Sequence, residues 1–124
     1  MIEVGDYVRT KTGKIRKIVE KLAQYYLIEK VTFDEIVNCN NTAYEDGDIV
    51  NHSKNIIDLI EVGDYVNGEK VFATENRIND NGEKIILTEN YDEWTDNGVT
   101  SNKDIKTILT KELFEANCYK VKEE

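Results

Sequence analysis

The chain has 124 residues, 40% of them hydrophobic and 33% charged, and 25 Asp and Glu against 16 Lys and Arg give a formal charge of −9. That length allows one compact domain or two very small ones, and no apolar run approaches the ~20 residues a helix needs to cross a bilayer. The acidic balance argues against generic duplex-DNA binding, which draws its affinity from Lys and Arg neutralising phosphates.

From the start of the chain, Val4, Asp6 and Val8 share one face of a predicted strand, and Gly5, Tyr7 and Arg9 share the other. Residues 10–14 read as a hairpin turn in which Gly13 supplies positive φ. Residues 15–19 form the returning strand and 24–31 a third. Ser53 suits a helix N-cap, followed by one short turn bearing Ile56 and Ile57. Asn67-Gly68 predicts a tight hairpin between Val66 and Val71, and Asn81-Gly82 another between Arg77-Ile78 and residues 84–87. Thr110 repeats the N-cap ahead of Leu113 and Phe114, and Cys118 is expected in the last strand as a buried small hydrophobe. No segment carries a sustained helical period, so the prediction is mostly β.

The strongest signal is self-similarity. Ile2-Glu3-Val4-Gly5-Asp6-Tyr7-Val8 recurs letter for letter as Ile60-Glu61-Val62-Gly63-Asp64-Tyr65-Val66. A looser match relates Ser53-Lys54-Asn55-Ile56-Ile57-Asp58 to Thr110-Lys111-Glu112-Leu113-Phe114-Glu115. The expected organisation is therefore two units from an internal duplication, residues 1–58 and 59–124. Each would be a small SH3-like barrel with one short helical turn. The two would stand in tandem or merge into one compact β-structure through the strand near 60–66. Charge divides unevenly between them: −2 for residues 1–58 and −7 for 59–124.

Lysine outnumbers arginine 13 to 3, Asn and Ile are abundant and Pro is absent, a bias that points to an A/T-rich bacterial or phage genome. Gly5-Asp6-Tyr7-Val8 followed by Thr12-Gly13-Lys14-Ile15 resembles the opening of KOW-type ribosomal and transcription-factor domains, which implies RNA or protein binding. The segment 52–68, His-Ser-Lys-Asn-Ile-Ile-Asp-Leu-Ile-Glu-Val-Gly-Asp-Tyr-Val-Asn-Gly, resembles one found in small proteins of Firmicute phages and prophages. Residues 4–10 and 105–115 resemble the ends of the same family, with 20–48 and 72–103 variable. The resemblance implies a phage origin and brings no catalytic residues with it.

Catalytic groupings are scarce. His52 is the sole histidine, so any Cys-His or Ser-His mechanism must use it, and its place before the N-cap Ser53 suits a structural role. Cys39 lies in a predicted loop as an exposed thiol, and two Cys with one His lack the paired spacing of a zinc site. Residues 79–83, Asn-Asp-Asn-Gly-Glu, read as a hairpin rather than a calcium loop. The seven glycines are scattered singly, so no phosphate-cradling loop is present. These observations lead to the expectation of a non-enzyme without cofactor or metal.

Two features suit recognition. Arg9, Lys11, Lys14, Arg16 and Lys17, with Lys21 close by, gather positive charge around the first hairpin as a candidate anion site. Tyr91, Asp92, Glu93 and Trp94 set the only Trp among acids as a candidate protein-binding loop, since aromatics carry much of interface energy. The expected function is a phage-derived inhibitor or adaptor, of anti-defence type, that binds a host or phage protein. The alternatives are a nucleotide- or small-molecule-sequestering module using Arg9, Arg16 or Arg77, and a virion assembly protein. The expected partner is a protein, not nucleic acid or membrane. Met1 to Asp6 lacks the basic-then-apolar pattern of a secretion signal, which predicts a cytoplasmic location.

Overall fold

A computed structural model describes residues 1–38, 43–74, 78–79, 82–95 and 97–118. The chain is mostly β and divides into two compact units, Met1–Leu59 and Ile60–Glu124.

The first unit holds strands β1 (Tyr7–Thr10), β2 (Ile15–Lys21), β3 (Tyr26–Ile28), β4 (Ala43–Tyr44) and β5 (Ile49–Ser53), with helix α1 (Phe33–Asn38) between β3 and β4. The strands form one antiparallel sheet in the order β4-β3-β2-β1-β5. Ile2, Val8, Ile18, Ile28 and Tyr44 make its core, with Tyr26 and Ile49 packed against them. The register of β1 against β5 shifts between Arg9 and Thr10. Such a bulge adds local twist, and Val8, Arg9 and Thr10 are all buried in succession instead of alternating. Short 3₁₀ turns at Asp46–Asp48 and Ile56–Leu59 flank β5.

The second unit holds β6 (Tyr65–Val66), β7 (Glu69–Ala73), β8 (Ile85–Asp92), β9 (Asn97–Ser101) and β10 (Ile108–Leu109), then helix α2 (Lys111–Asn117). Its antiparallel sheet runs β10-β6-β7-β8-β9. Counted from the first strand of each unit, this is the same strand order as in the first. Asn67 and Gly68 both take positive φ, +53° and +83°, as the Asn-Gly hairpin requires. The Asn67 side chain also accepts from the backbone of Lys106 and Thr107 and donates to the Asp104 carbonyl, which ties the turn to the approach of β10. Gly82 turns at φ +79° between Asn79 and Glu83, while Arg77 and Asn81 lie outside the described residues.

The seven-residue repeat makes the same hydrogen-bonded corner in each unit. Asp6 N–H donates to the Glu3 carbonyl and Asp64 N–H to that of Glu61, at 3.0 and 3.1 Å. The carboxylates return the bond, Asp6 Oδ2 accepting from Glu3 N–H at 3.0 Å and Asp64 Oδ2 from Glu61 N–H at 2.8 Å. Gly5 and Gly63 sit at φ +94° and +99°, and each pairs with the following strand, through Ile18 and Val71. Both aspartates are buried. A lysine from the end of each unit covers the corner. Lys54 Nζ lies 2.8 Å from Asp6 Oδ1, and Lys111 donates its backbone N–H to Asp64 Oδ1 at 2.9 Å and its Nζ to Glu61 at 2.7 Å.

Three sequence expectations need correction. The third strand is confined to Tyr26–Ile28 instead of 24–31, and α1 follows it because Thr32 Oγ1 accepts from Glu35 N–H and acids occupy the first turn. One helical turn per unit is too few: among the described residues the first has α1 and two 3₁₀ turns, the second a 3₁₀ turn at Asn102–Asp104 and α2. Cys118 ends α2, its N–H donating to the Phe114 carbonyl, and is half-buried, because the Thr110 cap starts a true helix there instead of a strand.

Candidate protein-binding hairpin

The sequence of β8 changes character midway. Ile86, Leu87 and Thr88 are buried against the sheet, whereas residues 89–92 are exposed. Pairing with β9 is regular from Ile85–Ser101 to Leu87–Val99, breaks, and resumes at Asp92–Asn97. The inner half of the hairpin is thus core and the outer half stands in solvent. Asp92 organises the turn: its Oδ1 accepts from Trp94 N–H at 2.9 Å and its carbonyl from Thr95 N–H at 3.2 Å. The Trp94 ring is left 88% exposed.

The hairpin is braced from within. Gly98 sits at φ +75°, and a Cβ there would lie 2.5 Å from the Tyr91 nitrogen, so only glycine fits. Thr88, fully buried, places its hydroxyl 3.0 Å from Glu69 Oε2 and 2.6 Å from Asn90 Oδ1, and Asn90 Nδ2 donates to Glu69 Oε1 at 2.7 Å. These bonds join β8 to β7 where the hairpin leaves the sheet. On the same two strands Phe72 meets Tyr91, ring centroids 6.3 Å apart, with Phe72 45% and Tyr91 38% exposed. Phe72 was no part of the sequence expectation. Its position opposite the β8 register is a pairing fact that no local composition announces. Residues 85–102 contain Glu89, Asp92, Glu93 and Asp96 and no Lys, Arg or His. Among the described residues, no cation pairs with Glu89, Asp92 or Glu93. The structure places Tyr91, Asp92, Glu93 and Trp94 together at this tip; Asp96 lies outside the described residues.

The expected anion site around the first hairpin is not brought together as one surface. Arg9 is fully buried, its Nη1 donating to the Leu59 carbonyl at 2.9 Å, because the sheet bulge turns this position inward. Arg16 grips Glu35 through both ends of its guanidinium, Nε–Oε1 3.2 Å and Nη2–Oε2 2.9 Å, and Lys14 Nζ lies 3.8 Å from the same carboxylate. The Arg16 bonds hold the Glu35 carboxyl down to about 2, against the opposing effect of burial. Lys17 lies over the Tyr7 ring, 5.8 Å from its centroid. Lys11 and Lys21 are exposed. Neither arginine therefore offers its charge to a bound phosphate, and Arg77 lies outside the described residues.

His52 has a structural setting, Nδ1 3.2 Å from Asp6 Oδ2. The Asp6 carboxyl is held below its ordinary range, chiefly by the Lys54 ammonium and then by the N–H of Glu3 and by His52, against the cost of burial. Cys39 lies outside the described residues. Among the described residues no group of three or more His, Cys, Asp or Glu is arranged to hold a metal ion, and no helix is long and apolar enough to cross a membrane. A second apolar patch escaped sequence reading: Val31, Phe33, Ile36 and Val37, on and beside α1, are all more than half exposed, Phe33 at 80%. No protein-family model, curated protein or solved structure matches this chain.

Proposed function

We propose that this is a non-enzymatic, phage-derived binding protein that inhibits or adapts a host or phage protein in the cytoplasm, and that it recognises its partner through the β8–β9 hairpin. The observation that carries this reading is the 88% exposure of Trp94 on a hairpin whose shape is fixed by Gly98, Thr88 and Asn90. Leaving the largest apolar side chain in water forgoes a burial worth about 2–3 kcal/mol, while an aromatic side chain, having only two rotatable bonds, loses little entropy when it docks. Interfaces are enriched in such residues, and a few of them dominate the affinity.

The scaffold reading is two tandem SH3-like barrels from an internal duplication. It is supported by the identical seven residues, by the common strand order and by the repeated corner at Asp6 and Asp64. In this arrangement the first unit pairs Arg16 with the buried Glu35, while the second presents acids around an aromatic tip.

The test is capture from a bacterial lysate by tagged wild-type chain and by Trp94→Ala, followed by titration of the purified partner against both. The expected result is one dominant protein whose affinity falls tenfold or more with alanine at 94. A partner held equally tightly by both chains would overturn the assignment of the hairpin.

A further inference from the structure

We propose that the occupant of the hairpin surface is an arginine-bearing basic segment of the partner protein, with a guanidinium lying on the Trp94 ring and paired with the carboxylates of Asp92 and Glu93. This rests on the hairpin being the recognition surface and names the chemistry it selects. The surface consists of Trp94 at the tip of the hairpin and, on the same hairpin, Tyr91, whose ring meets that of Phe72. An apolar surface alone would accept many occupants, and the charge around this one narrows them. Glu89, Asp92 and Glu93 are exposed, unmatched by any cation among the described residues, and belong to an 18-residue stretch without a single basic side chain. A partner that covered Trp94 and these carboxylates with apolar groups alone would strip water from them with nothing to replace it. A nucleic acid or an acidic segment would be repelled. A cation satisfies the carboxylates and is drawn to the face of the indole at once.

Between the two basic side chains the geometry favours arginine. Its guanidinium is flat, so it stacks on a ring while its edge still offers paired N–H groups to a carboxylate, and it sheds water more readily than an ammonium. The backbone N–H of Trp94 donates to Asp92 Oδ1, which fixes the turn and holds this carboxylate against the residue that carries the indole. The hairpin thus offers an exposed indole and nearby carboxylates to one ligand group that is both planar and positive.

The experiment uses the full chain and three synthetic peptides. Each carries six identical residues spaced by Gly-Ser, and the six are arginine, lysine or citrulline, the last being the uncharged isostere of arginine. The fluorescence of the single Trp reports binding to the wild-type chain, and calorimetry serves for Trp94→Ala and for Phe33→Ser as a control at the other exposed patch. The arginine peptide should bind and change the Trp94 emission, more weakly as salt rises. The lysine peptide should bind severalfold more weakly, and the citrulline peptide should not bind measurably. Alanine at 94 should weaken the arginine peptide about tenfold, with Phe33→Ser unchanged. Equal binding of lysine or citrulline peptide, or of the arginine peptide to Trp94→Ala, would overturn the inference. If the captured partner still requires Trp94 while the arginine peptide fails, the arginine assignment falls and the hairpin stands. If the partner ignores Trp94, the hairpin reading itself falls.

Discussion

Glu35 lies in a stretch of apolar neighbours, Phe33, Ile36 and Val37, and is the residue among them turned inward, 1% exposed. The reason lies 19 positions earlier: Arg16 offers a bidentate fork, and Val31 N–H adds a third donor. Since its carboxyl is held at about 2, below the ordinary 4.5, the stabilisation it gives is complete above pH 4.5 and is lost as pH falls towards 2. That loss is on the order of 3 kcal/mol. Thermal unfolding between pH 6 and 2.5 should show a steep acid loss in the wild-type chain and a shallower one in Glu35→Gln, which should also start less stable. Equal slopes for the two chains would contradict the pairing. A second residue-scale prediction concerns Gly98→Ala. The positive φ costs about 1–2 kcal/mol, and the contact with the Tyr91 backbone adds a similar amount. Circular-dichroism melting should detect that drop, and an unchanged melting temperature would mean that the hairpin is less constrained than its geometry implies.

At the scale of elements, the Glu-Val-Gly-Asp corner explains why so much of the fold was legible. Its letters act locally. The aspartate reaches back three residues, the glycine supplies the left-handed turn, and the valine after the tyrosine is buried. Repeated letters therefore announce repeated structure. Asp64→Ala removes acceptors for Glu61 and Lys111 N–H from a fully buried site and should cost about 2–4 kcal/mol in denaturant unfolding. Asp6→Ala should cost a similar amount; a loss under 1 kcal/mol at both sites would remove the corner's claim to hold the strands. The elements that escaped sequence reading depend on distant partners. At six residues α1 is too short to show a period, and what fixes it is an arginine on β2. The places of Arg9 and Arg16 in the basic cluster depend in the same way on distant features, a sheet bulge and a remote glutamate.

For the whole molecule, the informative contrast is between charges used internally and charges left unmatched. Composition alone revealed that the acidity concentrates after residue 58, and the flanking of Trp94 by acids was visible in the letters. Neither could show that Trp94 stands in solvent, which depends on the β8–β9 turn, nor that Phe72 meets Tyr91, which depends on the pairing of β7 with β8. The central claim is that this hairpin is where the protein meets its partner. Hydrogen–deuterium exchange of the chain, alone and with the captured partner, tests it most directly. Exchange across residues 85–101 should slow on complex formation, with α1 unchanged. Protection confined to α1 and Phe33, with the hairpin exchanging as before, would contradict it.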